Sequence, residues 1–300
     1  MYELAVLGNP LIRLEALKRG ASGSLAGPAI CTALTAARLG IENLISIMSV
    51  PNELREAVSK DLDRLGIPEY HIIDSGHMAG PEVTLDLDGC PSEYMASPHS
   101  LRIRDIPEET VLSNSILLCP SFQEVDTELV QWIADTSDAR LLWHPQLYRV
   151  TEDGGFKPSL TTTKARSICA LVHVARINLR ESEALSHDRD PFIGAELLVH
   201  WGADIGIVTM AEKGCIVYDG SDFLVVPAYP VKRATQCGAG DVFLAAFALA
   251  LDKDYDLRYA SAYSSAVASL RLENPSYPHP LREEDIQHRL RVLLPDIEIR

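Results

Sequence analysis

The chain has 300 residues, enough for one large α/β domain or two small ones, and its 47% apolar and 23% charged content is that of a packed globular protein. Disordered, collagen-like and low-complexity chains are excluded by that balance. With 42 acidic against 27 basic side chains, a formal charge of −15 and no run of Lys or Arg, neither nucleic acid nor an anionic membrane surface is an expected partner.

The first strand is predicted at 4–7, ending in Gly8-Asn9-Pro10. Residues 12–25 read as irregular and glycine-rich. From 28 to 39 the residues are small and apolar (Ala29, Ala33, Ala36, Ala37), a helix that has to pack closely and is stopped by Gly40. A short buried strand follows at 44–48. Asn52 reads as the cap of a helix with Leu54, Val58, Leu62 and Leu65 on one face and Gly66 as its stop. Val83, Leu85 and Leu87 alternate with Thr84, Asp86 and Asp88 before Asp88-Gly89, the pattern of a half-exposed hairpin strand.

From residue 115 buried strands (116–119, 141–143, 174–177, 205–209) alternate with helices near 126–135, 190–200, 240–252, 256–271 and 282–293. Such alternation predicts an α/β fold, a mainly parallel sheet covered on both faces. Segments 12–25 and 79–103 would then form a small antiparallel lid on a single domain spanning 1–300. No apolar stretch reaches the ~18 residues needed to span a membrane, and Met1-Tyr2-Glu3-Leu4 lacks the features of a secretory leader. Six cysteines, widely spaced and without a Cys-x-x-Cys pair, fit small buried side chains in a reducing compartment, so a cytoplasmic protein is expected.

The most informative segment is Thr235-Gln236-Cys237-Gly238-Ala239-Gly240-Asp241, which runs into an apolar helix. Two glycines before a helix leave backbone N–H groups pointing outward at its positive end, an arrangement suited to an anion. Asp241 would sit beside that anion. Taken alone, the segment also reads as an ordinary glycine-rich turn with an acidic residue in the first helical turn.

Further matches in the same chain order bear on that choice, and together they resemble the ribokinase-like (PfkB) family of small-molecule kinases. Gly238, Ala239, Gly240 and Asp241 match the family's Gly-Ala-Gly-Asp anion hole and catalytic base. Asn178-Leu179-Arg180-Glu181 matches its Asn-x-x-Glu motif. Thr209-Met210-Ala211-Glu212-Lys213-Gly214 resembles its nucleotide-side loop, and Gly27 with the helix behind it resembles its substrate-carrying segment. His144-Pro145-Gln146 stands where relatives often have Asp-Pro-Asn or Asp-Pro-Gln.

The resemblance covers practically the whole chain. It implies a three-layer α/β/α sandwich and transfer of the γ-phosphoryl group of ATP to an alcohol of a sugar, polyol or nucleoside-like substrate. In that reading Asp241 takes the hydroxyl proton, and the amides of residues 238–240 stabilise the transferring charge. Asn178 and Glu181 hold Mg2+ with its waters, while Thr209, Ala211 and Gly214 border the nucleotide. Without the Asp241 match, Glu181 reads equally well as an exposed carboxylate in a first helical turn.

The departures gather at the substrate end. Arg13 occupies the place of an Asp that grips sugar hydroxyls, Ala26 replaces the first glycine of a Gly-Gly pair, and Cys31 replaces an Asn. Arg13 either turns the pocket toward substrates carrying a carboxylate or phosphate, or points to solvent or to Glu15. Two rivals follow from the departures: a catalytically silent relative that binds a nucleotide or metabolite as regulator or scaffold, and a kinase with another phosphoryl donor. The latter draws on Ala211 standing at a glycine position. The apolar face of the lid should either close over substrate or pair with a second copy, so a homodimer through it is an expectation. The nine histidines show no metal spacing, and His144, His173 and His200 read as buried or surface histidines.

Overall fold

The structure is a computed structural model. It describes residues 2–20, 24–76, 83–84, 93–96, 99–121, 124–145, 148–150, 156–158, 161–231, 238–273 and 281–300. The chain groups into two compact units, Met1–Ala139 with Pro145–Thr161, and Arg140–His144 with Thr162–Arg300.

In chain order the first unit contains β1 (Leu4–Leu7), β2 (Leu11–Ile12), α1 (Leu14–Lys18), β3 (Leu25–Ala26), α2 (Pro28–Arg38), β4 (Leu44–Val50), α3 (Asn52–Leu65), β5 (Glu69–Asp74), β6 (Val83–Thr84), β7 (Glu93–Ala96), β8 (Ser115–Leu118) and α4 (Thr127–Thr136). β1 pairs in parallel with β4 and β8, and β4 with β5. β1, β4 and β8 are buried along their whole length, as strands of a parallel sheet covered on both faces are. Ala29, Ala33 and Ala36 of α2 are fully buried, which is why that segment is built from small residues. α3 buries Val58 and Leu62 and ends at Gly66, whose φ of 75° only glycine adopts cheaply. Its cap is Pro51 rather than Asn52, which is the first helical residue; the Asn52 side chain instead donates to Asp74.

A second, antiparallel sheet in this unit has the order β3-β2-β7-β6 and draws its strands largely from the segments expected to form a lid. Segment 12–25 is not wholly irregular, because α1 lies within it. Leu85, Leu87 and the Asp88-Gly89 turn lie outside the described residues.

β9 (Arg140–Trp143) opens the second unit, and residues 145–161 return to the first with an antiparallel pair that the sequence analysis did not anticipate, β10 (Tyr148–Val150) with β11 (Phe156–Pro158). The second unit continues with α5 (Thr162–Cys169), β12 (Val174–Asn178), α6 (Leu179–Ser186), α7 (Pro191–His200), β13 (Ile205–Thr209), β14 (Cys215–Tyr218), β15 (Phe223–Val226), α8 (Ala239–Asp252), α9 (Leu257–Glu273), α10 (Glu283–Leu293) and β16 (Glu298–Ile299). β12 lies between β9 and β13, parallel to both, whereas β14, β15 and β16 extend the sheet antiparallel. α8 is buried on all sides from Val242 to Ala250 and packs against α9. The Ala and Ser residues of α9 permit that close approach, and Ser261 and Ser264 return their hydroxyl protons to carbonyls one turn back. No helix among the described residues is long and apolar enough to cross a membrane.

Candidate active site

Parallel α/β sheets place their ligand-binding groups beyond the carboxyl ends of the strands. In the second unit three adjacent parallel strands end in the residues singled out by sequence: β9 leads directly to His144, β12 ends at Asn178 and β13 at Thr209.

Asn178 and Glu181 form a reciprocal cap on α6. The Asn178 side chain accepts from the Glu181 N–H at 2.9 Å, and Glu181 Oε2 accepts from the Asn178 N–H at 2.8 Å. Glu181 is buried, which corrects the reading of it as an exposed first-turn carboxylate. The cap fixes its carboxyl group at the strand end through two bonds that any Asn-x-x-Glu at a helix start can form.

Thr209 to Gly214 form the tight connection between β13 and its antiparallel partner β14, closed by the Met210 N–H donating to the Gly214 carbonyl at 2.7 Å. Ala211 has φ 53°, a left-handed conformation that costs alanine more than it would glycine. Gly214 has φ 89°, and a Cβ there would collide with the Val226 carbonyl.

Gly238 caps α8 with φ 77°, so that the N–H groups of the first turn have no intrahelical acceptor. Gly238, Ala239 and Gly240 are half-buried, and Asp241 is buried in the first turn. Thr235, Gln236 and Cys237 lie outside the described residues.

Two further residues complete the cluster, and sequence reasoning missed the role of both. His144 Nε2 lies 2.9 Å from Asp241 Oδ1. Arg176 Nη1 lies 2.9 Å from His144 Nδ1, and Arg176 Nη2 donates to Thr209 Oγ1 at 2.5 Å. Arg176 is buried under Gly240, where an added Cβ would fall among its guanidinium atoms. An unbroken chain, Asp241–His144–Arg176–Thr209, thus links α8, β9, β12 and β13. A signal for Arg176 was present in the sequence, since a lone cation inside an apolar strand has to find partners. For His144 the signals were its place at the end of a buried strand and the match of His144-Pro145-Gln146 to a family segment.

The substrate-side residues belong to the first unit. Arg13 is half-buried just after β2, and its N–H donates to the Ser24 carbonyl at 2.8 Å. Gly27 caps α2 with φ 97°, and a Cβ there would press on Leu11 and on Ser121 Oγ. Cys31, one turn further along α2, is half-buried. Beside Gly27 the fully buried Glu124 accepts from the N–H groups of Asn9 at 2.8 Å and Ser121 at 2.6 Å. Asn9 in turn accepts from the Ser49 N–H at 2.7 Å. This polar floor ties the ends of β1, β4 and β8 together.

No group of three His, Cys, Asp or Glu side chains among the described residues is placed to hold a metal ion. A single buried carboxylate, Glu181, fits a cation that keeps most of its waters and takes its other ligands from phosphates, as Mg2+ does.

A carboxylate beside the outward-facing N–H groups of a helix start is an arrangement that can serve phosphoryl transfer to a hydroxyl group. Comparison with known proteins agrees. Residues 17–283 match the model of the pfkB family carbohydrate kinases, and the chain belongs to that family. It is a phosphotransferase with an alcohol group as acceptor, and its fold is ribokinase-like, a mostly parallel sheet with helices on both sides. The chain is 27% identical over 263 residues to a cytidine kinase of Thermococcus kodakarensis, covering 82% of this chain and 87% of that one. Among solved structures, a pyrophosphate-dependent kinase of the ribokinase family, complexed with a pyrophosphate analog and myo-inositol, superimposes with a TM-score of 0.70 at 18% identity, over 95% of this chain and 99% of the other. A ribokinase from Thermotoga maritima gives a TM-score of 0.66 at 18% identity, over 97% and 100%.

Proposed function

We propose that the protein transfers the γ-phosphoryl group of ATP to a hydroxyl group of a sugar, polyol or nucleoside-like molecule. The observation that carries this reading is the setting of Asp241. Its Oδ1 is held by His144, and among the described residues no hydrogen bond reaches Oδ2. That oxygen takes the hydroxyl proton as the substrate oxygen bonds to phosphorus and ADP departs. The N–H groups of Gly238, Ala239 and Gly240 stabilise charge on the transferring group. Glu181 and Asn178 would hold Mg2+, which when bound would neutralise phosphate charge. Thr209, Ala211 and Gly214 border the donor. On the substrate side, Arg13, Gly27 and Cys31 select the acceptor.

The likeness to a cytidine kinase supports placing nucleosides first among acceptors. Pyrophosphate is the second donor to test, because Ala211 stiffens the loop that would embrace a nucleotide. We further propose a cytoplasmic protein that dimerises through its lid.

The test is ADP release from Mg-ATP against nucleosides, sugars, polyols and their acidic or phosphorylated analogues, with Asp241→Asn in parallel and pyrophosphate as alternative donor. Turnover with one acceptor class, lowered at least a thousandfold in the variant, is expected, since loss of the base and its charge removes several kcal/mol of transition-state stabilisation, about 4 by this measure. Undiminished turnover by the variant would exclude Asp241 as base. Binding of ATP without turnover of any acceptor would favour the silent relative.

A further inference from the structure

His144 touches the proposed base directly. The two Arg176 distances decide how it does so. A donor approaching Nδ1 in the ring plane, along the lone pair, would sit roughly 5 Å from Nε2. Arg176 Nη1 is 2.9 Å from Nδ1 but only 3.5 Å from Nε2. The guanidinium therefore lies over the face of the imidazole, not at its edge.

With the guanidinium stacked on its face, the ring turns its Nε2 edge to Asp241. Asp241 as a carboxylate only accepts, so the 2.9 Å contact from Nε2 requires the proton on Nε2.

We infer that His144 is a positioning residue for Asp241: held by Arg176 against its ring face, it donates from Nε2–H to Oδ1, ties that oxygen down and aims Oδ2 at the acceptor hydroxyl. This inference rests on the kinase reading for its catalytic consequence, but the hydrogen bond itself does not. His144 is not a proton relay in this arrangement. Its Nε2 already carries the proton it donates to Asp241, so it has no place there for the one taken from the substrate. The proton taken from the substrate stays on Asp241 until the phosphorylated product leaves. Thr209 completes the support by holding the other guanidinium nitrogen, so the donor-side loop and the base share one framework.

Gln is the discriminating substitution. Its amide nitrogen can donate to Asp241 Oδ1 as Nε2–H does, without an aromatic ring. His144→Gln should keep kcat within about fivefold of wild type, whereas His144→Ala should lower kcat roughly ten- to a hundredfold through misplacement of the base. KM for donor and acceptor should change less than about threefold in both. Equal loss in the two folded variants, or no loss in either, would overturn the inference.

Nitrogen-15 NMR of the wild-type imidazole, assigned by the signal missing in His144→Gln, provides a readout free of turnover. The expected spectrum has a proton on Nε2; a bare Nε2 would overturn the inference. If the wild type turns over no acceptor, the kinase reading fails while the NMR result still decides the state of His144.

Discussion

Gly240→Ala is the sharpest probe of the framework under the helix N-terminus. Gly240 does not have a positive φ, so the backbone accepts alanine, and alanine favours the helix by about 1 kcal/mol over glycine. The obstacle is steric, because the new Cβ would fall among Nη2, Cζ and Nη1 of Arg176. That guanidinium cannot swing away freely: it is 5% exposed and engaged by Thr209 and His144. Overpacking of this kind costs about 1–3 kcal/mol, and loss of a hydrogen bond from a charged group about 1.5–3 kcal/mol. After the gain in helix propensity, a net destabilisation of about 3 kcal/mol is expected. Urea unfolding followed by tryptophan fluorescence would read this as a midpoint shift of about 1 M at unchanged slope. The decisive step is the double mutant. In an Arg176→Ala background the methyl group has room, and the same substitution should cost less than about 0.5 kcal/mol. Additive effects of the two substitutions would refute the claim that Gly240 exists to admit Arg176.

Three further outcomes follow from the same coordinates. Glu181→Gln keeps a capping box, so stability should change by less than about 0.5 kcal/mol while the Mg2+ concentration needed for half-maximal turnover rises roughly tenfold; a drop in thermal stability with unchanged Mg2+ demand would make Glu181 a cap only. Ala211→Gly should stabilise the protein by about 0.5–1 kcal/mol, the left-handed strain of an exposed alanine outweighing the greater entropy of unfolded glycine, and a lower unfolding midpoint would contradict this. Burial pushes the thiols of Cys169 and Cys215 up to about 12, so their reactive thiolates form only well above neutral pH. Iodoacetamide at pH 8, mapped by mass spectrometry on the native protein, should therefore label the half-buried Cys31 before either of them, and equal labelling of Cys215 would show that β14 opens readily.

The βα alternation was legible because buried strands and amphipathic helices leave different periods in the chain. The strands at 4–7, 116–119, 141–143, 174–177 and 205–209 were expected close to where they lie, and α4, α7, α8, α9 and α10 begin and end near their anticipated bounds. The short elements were not legible. α1, β10 and β11 are too brief to carry a period, and the antiparallel edge β14, β15 and β16 differs from parallel strands in pairing direction, which a single strand's composition does not encode.

The site divides along the same line. Gly238, Ala239, Gly240 and Asp241, like Asn178 and Glu181, are contiguous in the chain, and their geometry follows from a helix start, so short-range sequence alone determined it. His144, Arg176 and Thr209 lie on three strands separated by some thirty residues each, and only the parallel pairing of β9, β12 and β13 brings them to one end of the sheet. Whether a histidine is a buried filler or the support of a base depends on what lies across from it. Strand register, formed by hydrogen bonds between distant segments, decides that, and no local pattern records it.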